Sequence, residues 1–533
     1  MKLYTTCFLV ILTISATAQS YRWERIIGIP NRGEGLSDLK EHYDKGYYLD
    51  AGHWPLGSWG STGWPVKTDV NGAVLWDKTL MGVYEYEYNS WEVISDEDGN
   101  TYVAGTMLSQ QGRWHPLVAK FNACGEKVWC RVLDDLNSLY GGAAFDIVLN
   151  QNNQLIVLLE QLFPWTVDAM YLAAFSLDGD FLWRNVIASN ANHNVMGANF
   201  YSMLYHNNAY YFTGIGYYPK PGNPYRWFMR HLFVGLDSLF EEKFILPFDY
   251  QGTALYGRSI ISIPLNDTVL MAVGVDRIEL QGVLVFYDIN GNEIGHCMID
   301  CSNLSPGILS SQLFNIVHSD DSLFIASGLY EPQRHMFRNF EVVLDTLCLL
   351  YNFVVRPNAN SWAQLITTSD GNFMMGTNRR LVPTGPRDIL LAKFDKNLQP
   401  VPFDTATYVY DTLCPYPIQS GNIDMSACMV IIVGEGDIPT SREYNARIST
   451  IPIRVFPNPA HDNITFALEN TGHHSNIELR CFNLLGVLQY QTRVQRGQQQ
   501  TTADVSSWPP GMYIVVTYSN GKPVGREKFV VRR

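Results

Sequence analysis

Three carboxylates recur at one interval in the first third of this 533-residue sequence: Asp38, Glu92 and Asp146, 54 residues apart at each step. Brought side by side, they can hold a cation or push one another's proton affinity upward, as acid–base pairs require. The register continues through Ser202, Ser259, Asn315 and Gln364, and a ring of such polar residues serves equally well as the wet lining of a channel. A second set is aromatic and falls between these positions. It comprises Trp54, Trp59 and Trp64 in "GHWPLGSWGSTGW", Trp114 in "RWHP", Trp165 in "FPWT", Tyr225 and Trp227 in "NPYRWF", and Arg334 in "YEPQRHMF". Flat rings with polar edges, together with a guanidinium, suit sugars or peptide segments; the competing reading is that these loops pack upon one another. His53, His115 and His335 stand among them and supply acid or base in an enzymatic reading.

The sequence holds no G-x-S-x-G elbow, H-E-x-x-H helix or phosphate loop. No catalytic residue is therefore assigned, and no metal or cofactor is expected. Turns such as "DVNG", "DEDG" and "DING" admit calcium, but hairpins use the same residues and the terminal Glu of a calcium loop is missing.

Positioning these side chains falls to a repeat. An apolar run, a turn opening on Asp, Asn or Ser, and a second run recur seven times, with Asp69, Asn122, Ser176, Asp237, Asp288, Asp345 and Asp395 in register. In the early copies the second run carries Trp before a charged residue, as in "VLWDK", "KVWCR" and "FLWRN". A further hairpin precedes each copy, giving four short strands in about 50 residues, the size of a propeller blade. The expected fold is all-β: a seven-bladed β-propeller over residues 19–403, then a small β-sandwich. Residues 21–27, "YRWERII", match the Trp-bearing last strand, whereas the final copy ends in the Pro-rich "QPVPF". The N-terminal strand is thus expected to close the last blade and remove an open edge. The loops between the second and third strands, and those between blades, then share one face, which is where the aromatic residues fall.

Composition fits this reading. Aromatic residues make up 13% and charged residues 17%, with 42 Gly and 26 Pro. A formal net charge of −13 argues against a nucleic-acid partner. Residues 1–18 read as a secretory signal ending in Ala16-Thr17-Ala18, and no other stretch is long and apolar enough to span a membrane. In an exported chain the closely spaced cysteines are expected to pair as Cys124 with Cys130 and Cys414 with Cys428, the latter stapling a connector over residues 404–450.

From residue 451 the pattern changes to short alternating strands. "VFPNPAHDNITF", "LLGVLQYQ" and "DVSSWPPGMYIVVTYSNGKPVGREKFVV" occur in order. Residues 451–533 resemble the type A sorting domain of the type IX secretion system of Bacteroidetes, with Pro457, Asn458, Pro459, Gly486, Gly511 and Tyr513 at matching positions. The resemblance implies transit through the periplasm, handling by the outer-membrane translocon, and display at the cell surface or release. Two functions stay open for the region before it: binding of an extracellular glycan or protein through the aromatic face, or cleavage of a polysaccharide or peptide.

Overall fold

The computed structural model describes residues 23–433 and 453–532, apart from 58–59, 83–87, 110–111, 136–140, 163–168, 188–196, 221–222, 248–256, 277–280, 300–309, 321, 334–335, 357–358, 381–384, 415–417, 469–476, 484–487, 496–497 and 520–521. Two compact units divide at residue 438. Residues 1–18, read above as a secretory signal, and Trp59, Trp165, Arg334, His335 and Gly486 lie outside the described residues.

Among the described residues, the strands of the first unit pair into seven antiparallel four-strand groups, taken in chain order. The opening strands of these groups are Arg32–Glu41, Tyr88–Ser95, Gly141–Leu149, Gly197–His206, Gly257–Pro264, Ser310–His318 and Ala359–Thr367. Each packs against the next, and Ala359–Thr367 returns to Arg32–Glu41. The unit is all-β and propeller-like. Its last group takes its fourth strand from the other end of the chain: Glu24–Ile27 runs antiparallel to Arg387–Phe394, with Glu24 opposite Ala392 and Ile27 opposite Ile389.

The repeated Trp and the repeated turn meet across neighbouring groups. Trp76 lies over the turn of the second group, where a Cβ on Gly125 would come within 2.7 Å of the indole; Trp129 covers Gly179 in the same way. Both glycines hold a positive φ, +69° and +82°, so the turn needs glycine twice over, for its backbone and for the indole. Trp129 Nε1 also donates to Leu177 O at 3.0 Å. The turn-opening side chains are spent on their own backbone. Asp69 Oδ1 accepts from Asn71 N and Ala73 N, and Asp237, Asp288, Asp345 and Asp395 repeat the arrangement. These residues are hairpin fasteners.

The disulfides correct the expected pairing. Cys124 bonds Cys414 and Cys130 bonds Cys428, while Cys297 bonds Cys348. The reason is strand addition. Met429–Ile432 runs parallel to Lys127–Asp134, with Met429 opposite Arg131, which sets Cys428 beside Cys130. Gly421–Asp424 adds likewise to Val74–Met81. Gly421–Asp424 and Met429–Ile432 are thus sewn onto the outer strands of the first two groups, and the cysteines close in sequence serve two separate stitches.

The second unit has a three-strand sheet (Ile453–Phe456, Asn463–Leu468, Gln500–Asp504) and a four-strand sheet (Ile477–Asn483, Leu488–Val494, Gly511–Ser519, Lys522–Val531). Ile464 and Phe466 from one sheet share a core with Leu479, Tyr513 and Phe529 from the other, as in a sandwich.

Candidate functional site

The ring positions sit at β-bulges on the opening strands. The register shifts immediately before Asp38, Glu92, Asp146, Ser202 and Asn315, so one extra residue re-aims each side chain. What they then do is join neighbouring groups. Asp38 accepts from Leu39 N at 2.7 Å and from Val93 N of the second group at 3.1 Å. Asp146 accepts from Ile147 N and, one group on, from Met203 N, both at 2.6 Å. Asn315 Nδ2 donates to Gln364 Oε1, and Gln364 Nε2 to Ser37 O. Lys40, which the sequence reading passed over, bridges Asp38 at 3.1 Å and Glu92 at 2.7 Å. Burial opposes its charge, but these two carboxylates together hold its pKa above the ordinary lysine value. Desolvation, then the Asp38 charge, drives Glu92 well up, and desolvation raises Asp146 to about 7. The three carboxylates do cluster, yet around a lysine and backbone amides. Their geometry is that of a fastening between groups.

Nearby bulges carry aromatic residues. Trp91 is 42% exposed and lies 5.7 Å from the Phe145 ring, and Trp362 is 52% exposed and stacks on Phe314 at 5.1 Å.

At the face where second and third strands connect, the predicted aromatic set divides. Trp64 is buried, 3% exposed, with Nε1 donating to Asp77 at 2.8 Å; it is a core residue, which corrects its assignment as a ligand contact. Trp54 is half-buried and lies flat on the neighbouring strand. A Cβ on Gly33 would sit 2.8 Å from its Nε1, and one on Gly35 would sit 3.3 Å from its Cζ3. Trp114 is likewise half-buried, and its carbonyl closes on Gly141, where a Cβ would be 1.7 Å away. Tyr225 and Trp227 belong to strand Asn223–Leu236, and their side chains are outside the described set.

His53 and His115 are engaged. Arg32 Nη1 donates to His53 Nδ1 at 2.8 Å, so Nε2 carries the proton and faces Thr79 Oγ1 at 3.4 Å. Burial, then the Arg32 charge, lowers His53 to about 4. His115, buried 3.5 Å from Asp134, is lowered by desolvation too. Because the folded value of His53 is depressed, its contribution to stability is present above the unfolded value near 6.5 and is lost as pH falls toward 4. A His53→Gln variant, which retains an acceptor for Arg32, should lose about 2–3 kcal/mol less than the parent between pH 6.5 and 4. Urea denaturation at both pH values measures this, and equal losses would refute it.

Beside Trp54 stands a group that the sequence did not single out. Glu34 is fully buried and accepts from Ile29 N at 3.0 Å through Oε1, while Oε2 has no hydrogen-bond partner among the described residues. Desolvation raises it to about 7. Asp388 approaches the same point, since a Cβ on Gly28 would lie 2.5 Å from Asp388 Oδ1 and 3.2 Å from Glu34 Oε2. Across the hairpin Arg379 pairs with Asp388, and Arg380 with Arg387. No sequence motif marks this cluster, because its parts come from opposite ends of the ring. Elsewhere, a cavity of about 470 Å³ beside the connector is lined by Lys127, Trp129, Arg131 and Asp178. Arg131 Nε is already committed to Gly179 O at 2.7 Å.

In the second unit the opening motif grips the end of the chain. Asn458 Oδ1 accepts from Val530 N at 2.9 Å, its Nδ2 donates to Lys528 O, and Ala460 N donates to Val530 O at 2.8 Å. The flanking Pro457 and Pro459 are exposed. Tyr513 is buried, donates to Pro509 O at 2.7 Å and stacks on Phe529 at 5.6 Å. Gly511 has open space around it, so packing does not demand glycine there. Residues 454–532 match the secretion system C-terminal sorting domain. The chain ends in a type IX sorting domain. That domain directs export to the cell surface or release from the cell, and among the described residues no helix is long and apolar enough to cross a membrane.

No curated protein matches the chain. Similar solved structures include an ulvan lyase described as a new polysaccharide lyase family (10% identity, 70% of this chain and 96% of that one, TM-score 0.45). Others are the polysaccharide lyase Uly1 (7%, 68% and 90%, 0.42) and prolyl oligopeptidase B from Galerina marginata (13%, 66% and 47%, 0.37).

Proposed function

We propose that the protein is an exported propeller that binds an extracellular glycan or protein across the face bearing Trp54 and Trp114, and that the sorting domain delivers it to that ligand. The observation that carries this reading is the seat of Trp54. Two glycines clear a flat bed for the indole, so the ring is held in place before any ligand arrives, and part of it stays accessible. A preorganised aromatic surface of this kind binds at low entropic cost. Glycan arrays and pull-downs with the mature secreted chain test it. A Trp54→Ala, Trp114→Ala double variant should weaken binding by about 10–30-fold while the melting temperature is kept, as loss of an anchor residue does. Undiminished binding by the folded variant, or no ligand for the parent, would overturn the reading.

One observation favours the enzymatic alternative. Glu34, beside Trp54, has a carboxyl held near 7 and an oxygen without a hydrogen-bond partner among the described residues, which suits a general acid or base. The engaged histidines do not share that property.

A further inference from the structure

We propose that the centre of the ring of opening strands is a second saccharide site, in which Trp91 and Trp362 clamp a neutral sugar unit beside Lys40 and Glu92. It is separate from the face bearing Trp54 and Trp114, so it goes beyond that reading and either can fail alone. Its residues come from the bulges of the opening strands. The extra residue is Ser37, Trp91, Phe145, Tyr201 or Phe314 in the bulges described above, and the register breaks again at Trp362, before Ala363. Because these strands pack on one another around the ring, residues at equivalent bulges come to one level. A bulge re-aims its extra side chain out of the ladder, and here most of those side chains are aromatic.

Trp91 and Trp362 are exposed although they lie on innermost strands, where large apolar side chains are usually covered. Each is braced on the side away from the first group, Trp91 by Phe145 and Trp362 by Phe314. The first group stands between them, and its bulge residue is only Ser37. A hydroxymethyl group thus occupies the station between two fixed indoles and leaves a gap there. Gln364 Nε2 donates to Ser37 O at 2.6 Å, and Lys40 Nζ donates to Glu92 Oε1 at 2.7 Å, so both neighbouring groups are tied to the first at this level. Lys40 and Glu92 keep 31% and 26% of their side-chain surface accessible, yet burial opposes the charge of each. Groups that are at once wet and desolvated line a narrow channel.

These surroundings select the occupant. Lys40 lies between Asp38 and Glu92, and desolvation with the Asp38 charge favours the protonated form of Glu92. The polar group therefore carries little net charge, and neither an anion nor a cation gains much from it. A purely apolar ligand would strip water from Lys40 and Glu92 and return no hydrogen bond. A neutral sugar supplies what both parts need: an apolar C–H face for an indole, and hydroxyls that accept from the ammonium and pair with the carboxyl. Because the indoles are already braced, little side-chain freedom is lost when it binds.

The test is calorimetric titration of the full mature chain with cellohexaose, mannohexaose, laminarihexaose and xylohexaose, with hexagalacturonate as the acidic control. Oxidation of indoles by N-bromosuccinimide, read residue by residue by mass spectrometry, then locates the bound sugar. At least one neutral hexasaccharide should bind, and it should protect Trp91 and Trp362 from oxidation. A Trp91→Ala, Trp362→Ala double variant should bind that sugar at least about tenfold more weakly while keeping its melting temperature, as loss of anchor residues does. Where the variant fails to fold, protection in the parent decides. Protection of Trp54 and Trp114 alone overturns the central site and leaves the loop-face reading standing; protection of Trp91 and Trp362 alone supports the central site and counts against that reading. Undiminished affinity of the folded double variant overturns the central site, as does tighter binding of hexagalacturonate than of every neutral sugar. Failure of all four neutral sugars overturns it too, and a protein still captured through Trp54 would then uphold the loop-face reading by itself.

Discussion

A chain truncated after residue 450 is expected to stay in the periplasm, with its surface and medium fractions falling to background. The deletion removes the sorting domain but takes no strand from the first unit, which ends at residue 438 as a compact body of its own. Retention would therefore report lost recognition, and a folded, protease-resistant periplasmic product distinguishes it from misfolding. Asn458→Ala is the finer version. It removes the side chain that satisfies Val530 N, at a cost of about 1 kcal/mol to the sandwich. Its export defect, relative to that small cost, shows how much the opening motif contributes to recognition. Mass spectrometry of envelope, periplasm and medium measures both variants, and a truncated chain found at the surface would overturn the assignment of export to this domain.

The second large effect is expected at Lys67. Its side chain is fully buried, with Nζ 2.6 Å from Asp44 Oδ1 and 2.7 Å from His42 Nδ1. Asp44 in turn accepts from Asp411 N of the connector at 3.2 Å. Desolvation pulls Lys67 below its ordinary pKa, and although burial opposes it, the Lys67 charge holds Asp44 below its own. Lys67→Met strands a buried carboxylate and should destabilise the first unit by about 3–5 kcal/mol. Adding Asp44→Asn should recover part of this, since the neutral amide strands no charge and keeps an acceptor for Asp411 N. Urea denaturation of the four proteins in the cycle reads out the coupling. A single Lys67→Met change within about 0.5 kcal/mol of the parent would show that the buried pair is immaterial, the range seen at ordinary surface sites.

Much of the architecture was legible because each repeat must solve the same packing problem. The turn side chains recur since every hairpin needs its amides satisfied, and Trp recurs since each outer strand covers the next turn, as Trp76 and Trp129 do. "YRWERII" carried that Trp with no hairpin of its own, and its strand pairs with the one group lacking a fourth member. The ring register was readable for a similar reason: each bulge falls at one height. Less could be read where partners come from elsewhere. Trp54 and Trp64 look alike in a Gly-rich stretch, and it is Asp77, 13 residues after Trp64, that holds that indole inward. Neighbouring cysteines suggested short loops, whereas parallel strand addition brought partners from nearly 300 residues away. Glu34 and Asp388 gave no signal, since the two ends of the first unit must come together before they meet.

Closure by the first strand also sets an order of events. Ile27 finds Ile389, Cys124 finds Cys414 and Cys130 finds Cys428 only after the last third of the first unit has emerged. Until then Glu24–Ile27 waits unpaired. Contacts of such long sequence separation are paid for in chain entropy before they return anything, so they come last and slowly. The sorting domain over residues 454–532 follows every residue of these three seams in the chain, so its own strands are made only after all the partners that shut the first unit exist.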